Sequence, residues 1–182
     1  LFRSVGRDEV LAAAADLGEW PVILKPNRGG AGAGVALVED RGGLERLLDD
    51  PATPPPLDGT WLVQRYVRAA EPCITRCEFI GGRFFYAVRV DTSDGFELCP
   101  ADACALPTGR AKFEILDGFD DPLLERYAAF LAANGIEVAG IEFVRAADGT
   151  AYTYDVNTNT NYNRAAEARV GLSGMGRLAH FL

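Results

Sequence analysis

Lysine is nearly missing from this sequence: every cationic side chain is an arginine except Lys25 and Lys112. A single histidine, His180, sits close to the C-terminus. A Ser-His-Asp or Cys-His hydrolase would have to depend on it, which argues against that class. Positive charge is short overall, with 18 basic against 26 acidic side chains and a formal net charge of -8. Nucleic-acid binding needs a concentrated basic face, so that partner is not expected. Apolar runs are broken well short of the ~18 residues of a membrane span, so no membrane partner is expected either. Leu1 to Ser4 lead into a charged, helix-like segment, so no secretory leader is expected there. The first residue is not Met, which predicts that the sequence begins inside a longer protein.

Cysteine is sparse too. Cys73, Cys77, Cys99 and Cys104 are spaced C-x3-C and C-x4-C, unlike the paired C-x2-C of a zinc ribbon. Reduced, partly buried thiols in a cytoplasmic protein are the expectation. The alternative is a metal or redox role for Cys73 and Cys77, which would share one face of a strand.

Hydrophobic patterning predicts an α+β chain. Asp8 to Leu17 is an alanine-rich helix ended by Gly18, and Trp20–Lys25 and Val35–Val38 are strands. Leu44 to Leu48 fits a short helix, and the proline-rich loop Pro51 to Pro56 marks a boundary, giving lobes 1–57 and 58–182. In the second lobe Trp61–Val67 is a strand, and Ile74–Ile80 and Arg83–Val90 form a pair turning at Gly81-Gly82. Asp91 to Leu116 has no clear pattern. Asp121-Pro122 starts a helix, Val138–Val144 and Ala151–Val156 form an antiparallel pair, and the tail is helical in two pieces around Gly171 to Gly174.

Two segments could carry chemistry. The first is K-P-N-R-G-G-A-G-A-G-V, in which Gly29, Gly30, Gly32 and Gly34 let backbone N–H groups turn toward a phosphate beside Lys25. A strand follows it, so it is neither a Walker loop nor a dinucleotide fingerprint, both of which run into a helix. A mobile glycine-rich hairpin without a ligand fits the same residues. The second is G-I-E-F…D-V-N. Asp155 and Asn157 are two apart on one strand face, and Glu142 is on the adjacent strand. Two acids and an amide suit magnesium, which takes hard oxygen ligands and completes its shell with phosphate and water. Solvent-facing polar positions on a half-exposed sheet are the alternative.

In order, V-I-L-K-P-x-x-G-G-x-G-x-G-V, W-L-V-Q-R-Y-V, G-I-E-F and D-V-N resemble the ATP-grasp superfamily, over nearly the whole chain. The look is nearest to D-alanine–D-alanine ligase, glutathione synthetase and the RimK-type glutamate-adding ligases. That resemblance implies two α+β lobes with antiparallel sheets holding ATP between them, with the usual N-terminal substrate domain absent. Lys25 would contact the α- and β-phosphates under the Gly29–Gly34 lid. Backbone groups of Arg65 and Val67, around Tyr66, would read the adenine edge, with Gln64 near its amino group and Glu71 on the ribose. Glu142, Asp155 and Asn157 would hold magnesium or manganese. Arg76 and Arg89 would serve the γ-phosphate or the substrate carboxylate. The implied activity is ligation of a small-molecule or peptide carboxylate to an amine or thiol through an acyl phosphate. A small-molecule kinase and a non-catalytic nucleotide binder are the alternatives, and a homodimer is compatible with each. The sequence departs from the family pattern in three places. Its acids come in the order Glu then Asp, no earlier phosphate lysine precedes Asp8, and T-N-T-N-Y-N replaces a small Ser/Pro/Gly loop.

Overall fold

The computed structural model describes residues 2–30, 32–93 and 111–182. These form two compact units, the first reaching Val67 and the second starting at Arg68. The architecture is α+β with two antiparallel sheets, as the patterning predicts.

The first unit comprises β1 (Phe2–Ser4), α1 (Arg7–Leu17), β2 (Val22–Pro26), β3 (Ala36–Val38), α2 (Arg41–Asp49) and β4 (Trp61–Arg65). Its sheet runs β1-β4-β2-β3. Alanine favours α1 and leaves it slim enough to pack closely. Val10, Leu11, Ala13 and Ala14 of α1 and Leu44 of α2 bury against Val22, Leu24 and Val63 of the sheet. The Asp40 side chain caps α2 by accepting the Gly43 N–H at 2.7 Å.

The boundary differs from the expected 57/58. Strand β4 pairs with β2 from Val22↔Arg65 to Pro26↔Trp61 and also with β1, so it is interior to the first sheet. The proline-rich loop therefore links α2 to β4 within one unit. Strand β1 gave no sequence signal because three residues are too short to show alternation.

The second unit comprises β5 (Cys73–Ile80), β6 (Arg83–Asp91), β7 (Phe113–Leu116), α3 (Leu123–Ala133), β8 (Val138–Arg145), β9 (Ala151–Asn157), α4 (Arg164–Val170) and α5 (Gly174–Phe181). The sheet order is β7-β6-β5-β8-β9. One face receives α3, whose Tyr127 and Leu131 pack on Cys77, Phe79, Ala87, Ala139, Ile141 and Phe143. On the other face Ile80, Tyr86 and Val88 bury with Tyr162. Asp121 accepts the Leu123 N–H at 2.9 Å, but the N-cap of α3 is Pro122 rather than the expected Asp121, and the helix begins at Leu123. No helix among the described residues is long and apolar enough to cross a membrane.

Leu131 is completely buried at the centre of the α3 contact. Leu131→Ala should lower the unfolding free energy by about 2–5 kcal/mol. Urea denaturation checks this, and a loss below about 1 kcal/mol would contradict the placement of α3 over this core.

Candidate functional site

In the first unit, paired residues across an antiparallel sheet share a face. Leu24 opposite Val63 points into the helix-covered core, so Lys25 opposite Leu62 and Gln64 opposite Ile23 lie on the face turned away from α1 and α2. The segment between β2 and β3 is a hairpin, because those strands are antiparallel neighbours. Gly32 and Gly34 both have φ of 75°, a left-handed conformation that glycine adopts without strain. The turn is closed by Ala33 N–H on the Gly30 carbonyl and Val35 N–H on the Gly32 carbonyl, both at 3.1 Å. Gly29 and Gly30 are exposed. The Gln64 Oε1 atom is buried and has no hydrogen-bond partner. A buried acceptor left in that state costs about 1–3 kcal/mol, so the position favours a ligand that brings a donor. At the end of β4, Arg65 pairs with Glu19, and Tyr66 N–H donates to the Pro21 carbonyl at 3.4 Å.

In the second unit the sheet sets residues in rows. Arg76, Glu142 and Asp155 are direct neighbours on β5, β8 and β9. Glu78, Gly140 and Asn157 form the next row on the same face. A bulge in β9 makes this possible. Thr153 pairs with Phe143 and Asp155 with Glu142, so Tyr154 is the extra residue. Its hydroxyl donates to Glu142 Oε2 at 2.9 Å.

Arg76 is the centre of these rows. Its Nε donates to Glu78 Oε1 at 2.7 Å, its Nη1 reaches Glu142 Oε1 at 3.5 Å, and its Nη2 donates to the Thr160 hydroxyl. Thr160 in turn donates to Glu78 Oε2 at 2.7 Å. The side chains of Arg76, Glu78 and Glu142 are only 12%, 2% and 10% exposed. Burial pushes the Glu78 carboxyl above its ordinary range, and Arg76 and Thr160 pull it partly back. Burial, reinforced by Glu142, likewise raises the Tyr154 hydroxyl well above its ordinary value. Arg76 is thus shared between two largely buried carboxylates, with Asp155 beside Glu142 in the same row.

Asn157 Oδ1 accepts the Asn159 N–H at 2.8 Å and keeps a second lone pair. Among the described residues no three His, Cys, Asp or Glu side chains are grouped closely enough to hold a metal by themselves. Two acids and an amide on adjacent strands fit a hard cation that draws its remaining ligands from phosphate and water.

Arg89 is one residue out of phase with this cluster. Arg76 pairs with Val88, whereas Arg89 pairs with Thr75 and Glu114, which puts it on the opposite face of the sheet. The two arginines, each expected at the γ-phosphate or the substrate carboxylate, are therefore on different faces. Arg89 Nη2 instead holds Glu71 Oε2 at 2.6 Å. With Asp91, Lys112, Glu114 and Arg169 it lines a cleft of about 280 Å³ carrying both signs of charge.

Cys77 is fully buried, and burial pushes its thiol up to about 12, the behaviour of an inert core residue. Cys73 and Cys77 are both free thiols, while Cys99 and Cys104 lie outside the described residues.

No protein-family model matches the chain. It is similar to a probable alpha-L-glutamate ligase of Serratia proteamaculans (strain 568), 26% identical over 166 residues that make up 91% of this chain and 51% of the relative. Among solved structures it is similar to the RimK domain protein ATP-grasp from Sphaerobacter thermophilus DSM 20745, with a TM-score of 0.66 and 21% identity over 100% of this chain and 60% of that one. The D-cycloserine synthetase DcsG gives a TM-score of 0.65 and 20% identity, covering 97% of this chain and 60% of that one. The ATP-grasp ligase PsnB, complexed with a phosphomimetic variant of minimal precursor, Mg and ADP, gives 0.64 and 18%, covering 98% and 50%. This chain has the ATP-grasp fold. It spans about half the length of the curated relative it matches.

Sequence reasoning missed Glu78, Gly140, Tyr154 and Thr160 in this cluster. Glu78 had a signal: it has the same strand parity as Arg76 and is a charge inside an otherwise apolar run. Gly140 needs its missing side chain, since a Cβ there would lie 2.5 Å from Arg76 Nε. Nothing in the sequence points to Thr160, which reaches the cluster from a loop. Gly140→Ala should displace Arg76 and cost about 1–3 kcal/mol of stability through overpacking. Thermal unfolding with a crystal structure of the variant checks this, and an unmoved Arg76 at wild-type stability would contradict it.

Proposed function

We propose that this chain is the ATP-grasp portion of an ATP-dependent ligase that joins a carboxylate to an amine or thiol through an acyl phosphate. The reading is carried by the row Arg76–Glu142–Asp155, with Asn157 beside it, on one face of the second sheet. Lys25 places a point charge for the α- and β-phosphates at the end of β2, and the exposed amides of the glycine hairpin cover them. The unpartnered Gln64 Oε1 accepts a hydrogen bond from the adenine amino group, while the backbone of Arg65 and Val67, flanking Tyr66, meets the rest of that edge. Glu71, held by Arg89, takes the ribose hydroxyls.

Glu142, Asp155 and Asn157 would hold magnesium or manganese. A divalent cation there would supply charge neutralisation for the nucleotide phosphates. Arg76 presents its guanidinium beside the acids, where charge develops as a substrate carboxylate attacks the γ-phosphorus. The leaving group is ADP, and the acceptor then displaces phosphate from the acyl group. No protein nucleophile takes part.

Lys25→Ala and Asp155→Ala should each weaken Mg-ATP binding by about 10- to 100-fold, the value of one charge-assisted contact. Cys73→Ser should leave it unchanged. Calorimetric titration checks all three, and wild-type affinity in both weakened variants would overturn the site. Phosphate release on adding amino acids as carboxylate and amine supports the ligase; stable phosphorylation of one substrate would replace it with a kinase.

Gln64→Met should narrow the preference for ATP over GTP, because the acceptor matched to the adenine amino group is gone. Competition titration with the two nucleotides tests this. An unchanged preference would remove Gln64 from base recognition.

A further inference from the structure

Glu78 belongs to no role described so far. It is 1% exposed, so it reaches neither solvent nor a ligand of its own. Its two oxygens are both spoken for, Oε1 by Arg76 Nε at 2.7 Å and Oε2 by the Thr160 hydroxyl at 2.7 Å. Thr160 also accepts from Arg76 Nη2, which closes a ring of three side chains. Gly140 forms the floor on which the guanidinium lies. Within this ring Arg76 is pulled toward Glu78, and its approach to Glu142 is left at 3.5 Å, the outer limit of a hydrogen bond. Charge-assisted bonds at the shorter distance are the strong ones. Glu78 and Glu142 thus compete for one guanidinium, and Glu78 has the better hold.

We infer that Glu78 is a positioning residue for the cation site, holding Arg76 off Glu142 so that the Glu142 carboxylate stays available to a nucleotide-bound divalent cation. The inference rests on the proposed reading of Glu142 as a cation ligand. Without the Glu78 charge, the guanidinium would turn its full attraction on Glu142 and oppose the cation directly. A purely structural Glu78 would change stability without singling out the metal-dependent part of binding.

The test is calorimetric titration of ADP, once with Mg2+ and once with EDTA, on the whole chain. ADP lacks the γ-phosphate, so loss of Arg76 does not itself delete a nucleotide contact. Glu78→Gln should reduce the gain in affinity that Mg2+ confers by about tenfold or more, as for outer-shell partners of metal ligands, with the EDTA affinity unchanged. Adding Arg76→Met to Glu78→Gln should restore the gain to at least the wild-type level. A wild-type gain in Glu78→Gln, or a double variant as weak as the single one, overturns the inference. Should Glu78→Gln alone fail to fold, the double variant decides, since it removes the Arg76–Glu78 pair as a unit and leaves Glu142 its bond from Tyr154: a gain below wild type overturns the proposal. Glu142→Gln is titrated in parallel. If Glu142→Gln keeps the gain, the cation site itself is misplaced and the inference falls with it. If Glu142→Gln loses the gain while Glu78→Gln keeps it, only the role of Glu78 falls.

Discussion

Two carboxylates sharing one guanidinium inside a sheet is the constraint around which the second unit is organised. Arg76, Glu78 and Glu142 are all largely withdrawn from water, and taking ions out of water costs several kcal/mol each before their attraction is counted. Such a cluster is weak evidence for stability, because apolar residues would fill the same volume as well. Its persistence requires full hydrogen bonding, which Thr160 and Tyr154 supply from two different segments.

Those supporting segments depend on the rest of the unit. The chain between Asn157 and α4 is fastened at three points. Thr160 is held by the ion cluster, Tyr162 is buried against Ile80, Tyr86 and Val88, and Asn163 caps α4 by accepting the Ala166 N–H at 2.8 Å. Helix α4 is fixed in turn by buried Glu167, which accepts from the Tyr86 hydroxyl at 2.9 Å and the Gly174 N–H at 2.6 Å. The opposite face is committed to α3, and the charged rows lie on the face turned away from that helix.

The fold was largely legible because its strands are long enough to show their period and its helices have readable ends. The hairpin between β2 and β3 and the shared face of Asp155 and Asn157 could be read because both follow from neighbours along the chain. The failures share a cause. The strand Trp61–Arg65 was put in the wrong lobe because a proline-rich loop looks like a linker whether or not the next strand returns to the same sheet. Arg76 and Arg89 were grouped by type; their odd separation across a two-residue turn would give them one face, but the register shift between Glu78 and Phe79 sets Arg76 opposite Val88 and sends the two to different faces. Glu78 and Thr160 meet at a sequence distance that no local pattern encodes.

The bulge at Tyr154 has a bearing on how this strand can change length. Along β9, Thr153 serves the α3 face, where it meets the Tyr127 hydroxyl at 2.6 Å, while Asp155 serves the face with Arg76. Regular pairing would give the two residues the same side, and slipping by one position trades one side for the other. The extra residue changes that, so one strand addresses an apolar helix at its start and a charged row at its end. Insertions or deletions between the Asp148-Gly149 turn and Asp155 are thus filtered by parity: an odd change must be absorbed by gaining or losing a bulge, or the acid enters the apolar core.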